Sequence, residues 1–127
     1  MTEVDAKTIA EKFAAAVRTR DREALAAITT HDVVWSLPGT ATVSGLAAGV
    51  EGILKRAQAL HDYGVNIEVQ HVVYGTAGFG LLLHNTGNRA DRILDEHLTT
   101  IFQLEDGKLC RLDTYISDVE MLNAYFA

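Results

Sequence analysis

Histidine side chains are the groups in this sequence best suited to acid–base chemistry near neutral pH, because their ordinary pKa lies closest to it. The sequence has five of them, His31, His61, His71, His84 and His97. His84 follows the apolar run 81–83, so its imidazole could polarise a ligand carbonyl or shuttle a proton. His71 is in step with the apolar residues at 65, 67 and 69 and is a second candidate to point inward. For both, the alternative is a structural histidine bonded to its surroundings.

The spacing of potential metal ligands does not predict a metal site, because three or four of them must converge on one ion. If a turn is centred near Thr76, His71 and His84 lie roughly 10 Å apart along paired strands. The lone Cys110 is expected to act as a small apolar group. No glycine-rich phosphate loop or nucleotide fingerprint occurs, so neither a metal nor a cofactor is expected.

Composition bounds the class of protein. The 127 residues, 48% hydrophobic and 22% charged, predict one globular domain over residues 1–127. A net charge of −6 with dispersed basic residues makes nucleic acid an unexpected partner. The longest apolar runs are far shorter than the ~18 residues that span a bilayer, so no membrane association is expected. A single cysteine and no apolar signal core in the first twenty residues predict a cytoplasmic protein.

Periodicity predicts the elements that must position these side chains. Apolar residues recur at helical spacing over 5–20, 22–28 and 49–62, with Asp21 as the cap of the second helix. The segment 32–38 reads as an early strand, and strand patterns follow over 65–70, 79–85, 94–105 and 108–117. A short helical tail is expected over 118–126. Helices followed by antiparallel strands predict an α+β cone, with three N-terminal helices on a strongly bent sheet, rather than a doubly wound fold.

Fragments spread over nearly the whole chain resemble one known family. They are Phe-Ala-Ala-Ala-Val-Arg-Thr-Arg-Asp at 13–21, His-Asp-Val-Val-Trp-Ser-Leu-Pro-Gly at 31–39, Gly-Val-Glu-Gly-Ile at 49–53, Phe-Gln-Leu-Glu-Asp-Gly-Lys-Leu at 102–109 and Tyr-Ile-Ser-Asp at 115–118. The order and spacing are similar to the SnoaL-like branch of the nuclear-transport-factor-two-like superfamily, which includes ketosteroid isomerase. This resemblance implies a cystatin-like cone around a pocket for a small, mostly apolar molecule, a homodimer formed through the sheet, and an inner-face position for His84.

The polar groups of ketosteroid isomerase are missing at the matching positions. The resemblance places Phe13 where that enzyme has a tyrosine, Leu37 where it has its base and Thr100 where it has an aspartic acid donor. Each oxyanion donor contributes about 2.7–4 kcal/mol in comparable sites, so isomerisation by that mechanism is not expected. Epoxide hydrolase chemistry is not expected either, because its Arg-x-Asp pair would fall in 79–85, which lacks both residues.

The register of the last hairpin decides which side chains face the pocket. If Thr100 faces inward, Leu98 and Phe102 do too, and Leu112, Thr114 and Ile116 follow across the hairpin. This register requires a three-residue loop with a bulge at Gly107. A two-residue Asp-Gly turn is the alternative and would bring Asp113 inward.

The sequence thus predicts a binding protein with an apolar pocket free of carboxylates. The predicted ligand-binding residues are Phe13, Trp35, Leu37, Tyr63, His71, Thr100, Phe102, Leu112, Thr114 and Ile116. One hypothesis is an isomerase- or cyclase-type enzyme in which His84 is the catalytic acid or base on a ketone or polyketide-like substrate. The alternatives are a noncatalytic ligand carrier and a protein-interaction module.

Overall fold

The computed structural model describes residues 3–127, with side chains from residue 5 onward. Its helices are α1 (Glu3–Thr19), α2 (Arg22–Ile28), α3 (Gly49–Asp62) and α4 (Val119–Tyr125). Its strands are β1 (Thr29–Leu37), β2 (Gly45–Ala48), β3 (Asn66–Tyr74), β4 (Gly78–Arg89), β5 (Arg92–Glu105) and β6 (Lys108–Ile116). The predicted α+β class is confirmed, and β2 is an element that the sequence pattern did not predict.

The six strands form one mixed sheet in the order β2-β1-β6-β5-β4-β3. Neighbouring strands are antiparallel except β1 and β6, which run parallel. Helix α1 packs against β3 and β4, α3 against β1 and β2, and α4 against β5. One face of the curled sheet is therefore covered by helices, and none of the described helices covers the opposite face.

The helices form where apolar spacing and capping favour them. On α1 the buried side chains Ala6, Ala10, Phe13 and Val17 recur every three or four residues and face the sheet. Asp21 accepts a hydrogen bond from the backbone N–H of Ala24 at 3.1 Å, which confirms its predicted role as a helix cap. Within the described residues, no helix has both the length and the apolar character needed to cross a bilayer.

The hairpin between β5 and β6 directs the predicted side chains inward, but its turn and its bulge differ from the prediction. Glu105 pairs with Lys108, so Asp106 and Gly107 form a two-residue turn, and the predicted bulge at Gly107 is wrong. The register instead shifts at Cys110, which is the extra residue between the pairs of Leu109 and Arg111. A two-residue turn alone would direct Asp113 inward. The extra residue shifts the alternation by one position, so that Leu112 and Thr114 face inward instead.

The outcome for the side chains is the one predicted from the sequence. Leu112 and Thr114 are buried on the inner face of the sheet. Asp113 lies on the outer face, where it accepts hydrogen bonds from the Ser36 hydroxyl at 2.6 Å and the Arg111 guanidinium at 3.0 Å. These donors lower the pKa of Asp113, with Ser36 as the largest cause.

Candidate functional site

A cavity lies between α1 and the inner face of the sheet. Its volume is about 70 Å³, several times the ~10–15 Å³ that one water requires. Its walls are mostly apolar. Six of the predicted ligand-binding residues line it, namely Phe13, Trp35, Leu37, Thr100, Phe102 and Thr114.

The cavity approaches solvent at one end. Val17, Leu60, Val65 and Ile67 belong both to its wall and to a groove on the surface. Val17 and Leu60 lie in the C-terminal halves of α1 and α3, Val65 directly precedes β3, and Ile67 lies at the start of β3. The cavity wall is therefore close to the surface between these elements.

Two predicted site residues lie close to the cavity without lining it. Leu112 is fully buried on the predicted face and belongs to the hydrophobic core, but it is not part of the cavity lining. Ile116 is half-buried at the end of β6 and borders a shallow groove instead. Alternation placed both on the correct face of β6, but it does not specify how deep a side chain lies.

Tyr63 does not contact the cavity. Its ring packs against Phe126 with the ring centroids 5.0 Å apart, and the guanidinium of Arg89 lies 4.3 Å from the centroid of its ring. The Tyr63 ring thus contacts Phe126 and Arg89 and is not part of the cavity lining, so its predicted ligand contact stays a prediction.

The inward orientation predicted for His84 is wrong. Leu81, Leu83 and Asn85 line the cavity, so alternation along β4 directs His84 to the outer face. There its ring stacks on His97 with the centroids 4.5 Å apart, and its Nε2 lies 2.6 Å from Oδ1 of Asp95. This hydrogen bond is the largest cause of a lowered pKa at Asp95. His84 therefore cannot act on a molecule in the cavity, and its paired neighbour His97 also faces outward.

His71 is also on the outer face, contrary to the prediction. Val69 pairs with Leu83, whereas His71 pairs with Leu82, so Gln70 is an extra residue in β3. Ile67 and Val69 face the inside of the fold, and without the bulge His71 would follow them. Because the bulge shifts the alternation by one residue, His71 faces outward and is exposed.

Glu96 is a site residue that the sequence analysis missed. It is 0% exposed and lines the cavity, so the expectation of a carboxylate-free pocket is wrong. Its Oε1 accepts hydrogen bonds from the Ser117 hydroxyl at 3.0 Å and the Asp118 backbone N–H at 2.9 Å. Its Oε2 is buried without a hydrogen-bond partner. Burial is the main cause that raises the pKa of Glu96, because it disfavours the charged form.

Asn85 is the second polar group in the cavity that the sequence analysis missed. It pairs with Glu96 across β4 and β5 on the same face, which places their Cβ atoms about 5 Å apart. Its Oδ1 is buried and has no hydrogen-bond partner. Strand alternation could have identified both residues, because side chains two positions apart on a strand face the same side. Glu96 is two positions from Leu98, and Asn85 is two positions from Leu83.

The other polar groups of the cavity satisfy one another. The indole N–H of Trp35 donates to the Thr114 hydroxyl at 2.8 Å, and the hydroxyls of Thr114 and Thr100 are also 2.8 Å apart. These groups therefore stabilise the wall, whereas Glu96 and Asn85 retain acceptors for a ligand.

The arrangement supplies acid–base chemistry in an apolar space. The cavity lining contains one carboxyl and, among its described members, no Lys, Arg or His side chain to hold that carboxyl in the ionised form. A carboxyl in such surroundings has its pKa moved toward neutrality, which is the condition for an efficient general acid or base. Potential metal ligands in the described chain converge elsewhere, on the outer face, at His84, Asp95 and His97.

Helices close a curled sheet over an apolar cavity with a buried carboxyl, and this architecture is a small α+β cone. A family model described as a SnoaL-like domain matches residues 10–112, and the chain belongs to this family. The predicted family membership is thereby confirmed. No match to a curated protein was found.

Solved structures with low sequence identity share this fold. Bal32a, from a soil-derived mobile gene cassette, has a TM-score of 0.84 and 19% identity over 97% of this chain and 99% of its own. An NTF2-like protein from Burkholderia xenovorans LB400 has a TM-score of 0.83 and 20% identity over 100% and 99%. A putative SnoaL-like polyketide cyclase from Jannaschia sp. CCS1 has a TM-score of 0.72 and 12% identity over 100% and 97%.

Proposed function

We propose that the chain binds one small, mostly apolar carbonyl compound in its cavity and exchanges a proton with it through Glu96. The observation that carries this proposal is the Oε2 atom of Glu96, which is buried in an apolar wall and has no hydrogen-bond partner. Isolated buried carboxyl oxygens destabilise a fold, so their presence in a cavity favours a functional role.

The chemistry begins at a carbon next to a carbonyl group of the ligand. Oε2 of the Glu96 carboxylate takes the proton from this carbon, and the electron pair of the C–H bond moves to the carbonyl oxygen to form an enolate. Glu96 is then a carboxylic acid and returns the proton to the same or another carbon. Return to a different carbon is an isomerisation. If the enolate carbon instead attacks a second carbonyl of the same molecule, a ring closes, and the Glu96 proton passes to the alkoxide oxygen that forms from that carbonyl.

The composition of the pocket limits which substrates can react. Asn85 is the polar side chain beside Glu96 in the cavity. By the resemblance, Phe13 and Thr100 occupy the positions where a steroid isomerase has its two strong hydrogen-bond donors. With less stabilisation of the enolate oxygen available, the substrate must spread that charge itself. We therefore favour a 1,3-dicarbonyl compound, whose enolate is shared by two oxygens. The polyketide cyclase name of the Jannaschia structure is consistent with this substrate class.

Deuterium exchange tests this proposal. A 2-alkyl-1,3-diketone is incubated in D₂O with the protein, and loss of the proton between the carbonyls is followed by NMR. The wild type is expected to accelerate exchange, and Glu96→Gln to reduce the acceleration by about 10²–10⁴-fold, the usual contribution of a general base. The fluorescence of Trp35, the only tryptophan of the chain, reports binding because its ring lines the cavity.

The matched control is Glu105→Gln, which removes an exposed carboxylate from the same strand and is expected to leave exchange unchanged. Binding without acceleration by the wild type would contradict the enzymatic role and favour the ligand carrier. If the diketone neither binds nor exchanges, the pocket proposal fails for this substrate class, and the protein-interaction alternative gains support.

A further inference from the structure

The outer face of the sheet carries a cluster of potential metal ligands on neighbouring strands. His84 of β4 pairs directly with His97 of β5, and their rings are stacked at 4.5 Å with an angle of 7° between the planes. Asp95 lies two residues before His97 on the same face, and its Oδ1 is 2.6 Å from Nε2 of His84. One ligand atom from each of the three side chains lies within 4.8 Å of the others.

This geometry is close to what a transition-metal ion requires. Zinc binds histidine nitrogen and carboxylate oxygen at about 2.0–2.2 Å, so ligand atoms in a tetrahedral site lie roughly 3.4 Å apart. The His84 Nε2–Asp95 Oδ1 distance of 2.6 Å is shorter than this value and would have to lengthen, and no separation in the cluster is longer than 4.8 Å. Side-chain rotation can make both adjustments. An imidazole nitrogen binds a metal through a lone pair in the plane of its ring, so an ion would lie at the ring edges, where it would replace the hydrogen bond between His84 and Asp95.

The surroundings favour a cation and leave a path to it. Glu68 of β3 pairs with His84 and extends the row of outward-facing side chains, adding a second carboxylate. The backbone N–H of His97 donates to the Ser117 hydroxyl at 3.0 Å, which holds this end of the row in place. The side chains of Asp95 and His97 are exposed, so an ion can reach them without a rearrangement of the fold.

We propose that His84, Asp95 and His97 form a binding site for one divalent transition-metal ion of the zinc type. Two imidazoles and one carboxylate match the ligand preferences of such ions and leave a coordination position for water or a further ligand. The site is on the opposite face of the sheet from the cavity, so it is independent of the chemistry proposed for Glu96.

Isothermal titration with ZnCl₂ tests the site in the full chain at pH 7.5. One ion per chain is expected to bind, and His97→Ala is expected to weaken binding at least tenfold. His97 is the preferred position because its exposed side chain makes the ring stack as its main contact. Asp95→Asn is a second variant with the same expected direction, and metal-free thermal unfolding verifies that each variant folds.

His71→Ala is the matched control, since it removes another exposed histidine from the same face of the sheet. It is expected to bind zinc like the wild type. Absence of zinc binding by the wild type would overturn the proposal. Unchanged affinity in both His97→Ala and Asp95→Asn, or an equal loss in His71→Ala, would also overturn it, because binding would then be dispersed over the surface.

Discussion

Arg56 and Glu96 are both buried ionisable side chains, but their hydrogen bonding differs. The guanidinium of Arg56 donates to the backbone carbonyls of Val43 and Gly45 at 2.8 Å and of Trp35 at 2.7 Å, and lies 4.9 Å from the Trp35 ring centroid. Burial lowers the pKa of Arg56 to about 10, which leaves it charged at neutral pH. Arg56 thus stabilises the wall of the site, whereas Glu96 retains an oxygen for chemistry.

Replacing Arg56 with Met should destabilise the protein by about 3–5 kcal/mol, because three carbonyl oxygens lose a charged donor at once. Urea unfolding measures the effect. Arg56→Lys should recover little of the loss, since an ammonium group lacks the planar fork that reaches several acceptors. The exposed neighbour Lys55→Met is the control, expected within about 0.5 kcal/mol of the wild type. A loss below 1 kcal/mol in Arg56→Met would contradict the assigned role.

At the scale of elements, the β5–β6 hairpin combines a tight turn with a bulge. Asp106 and Gly107 both have positive φ, at 51° and 79°, as a two-residue turn of this type requires. The bulge at Cys110 then turns Leu112 and Thr114 toward the core. The inner wall of the cavity therefore depends on both features together.

Gly107→Ala should destabilise the fold by about 1–2 kcal/mol, the usual penalty of a left-handed backbone for a residue with a Cβ atom. Space is not the cause, because an added Cβ would meet no atom within 4 Å. The free energy of unfolding in urea gives the measurement. Asp106→Asn is the comparison, since asparagine tolerates this conformation well. Equal stability of Gly107→Ala and the wild type would show that the turn has another geometry.

For the whole molecule, the buried carboxyl of Glu96 links folding to pH. The raised pKa means that, above the unfolded value of about 4.3 and below the native value, the folded chain binds more protons than the unfolded chain. Stability from this group is thus fully present below the unfolded pKa and falls as pH rises through the native pKa. The decrease is about 1.4 kcal/mol for each unit by which the two pKa values differ.

Glu96→Gln should remove this dependence. The free energy of unfolding is measured in urea from about pH 4 to pH 8. Because only the wild type loses the Glu96 contribution as pH rises, the free energy of unfolding of the variant minus that of the wild type should increase through that window. Glu105→Gln, which alters an exposed carboxylate, should follow the wild-type profile. A constant difference between Glu96→Gln and the wild type over the whole range would mean that the Glu96 carboxyl is as well solvated folded as unfolded.

Most of the fold could be predicted because its elements have local causes. The helical spacing of Ala6, Ala10, Phe13 and Val17 and the cap at Asp21 are set by nearby residues, and the structure has both. The same local alternation, applied consistently to β5, would have placed Glu96 beside Leu98 in the cavity. The homodimer through the open sheet face, which follows from the resemblance, stays a prediction.

The sequence by itself determined the helices, the long strands and the family, because periodicity and short motifs are properties of the chain alone. Only the tertiary structure decided where that periodicity is interrupted, at the bulges of Gln70 and Cys110. A bulge exists only in relation to a paired strand, and it moves every later side chain to the other face. Uninterrupted alternation would place His71 on the inner face with Val69, but the bulge at Gln70 places it on the outer face. In the same way, the bulge at Cys110 places Leu112 and Thr114 on the inner face.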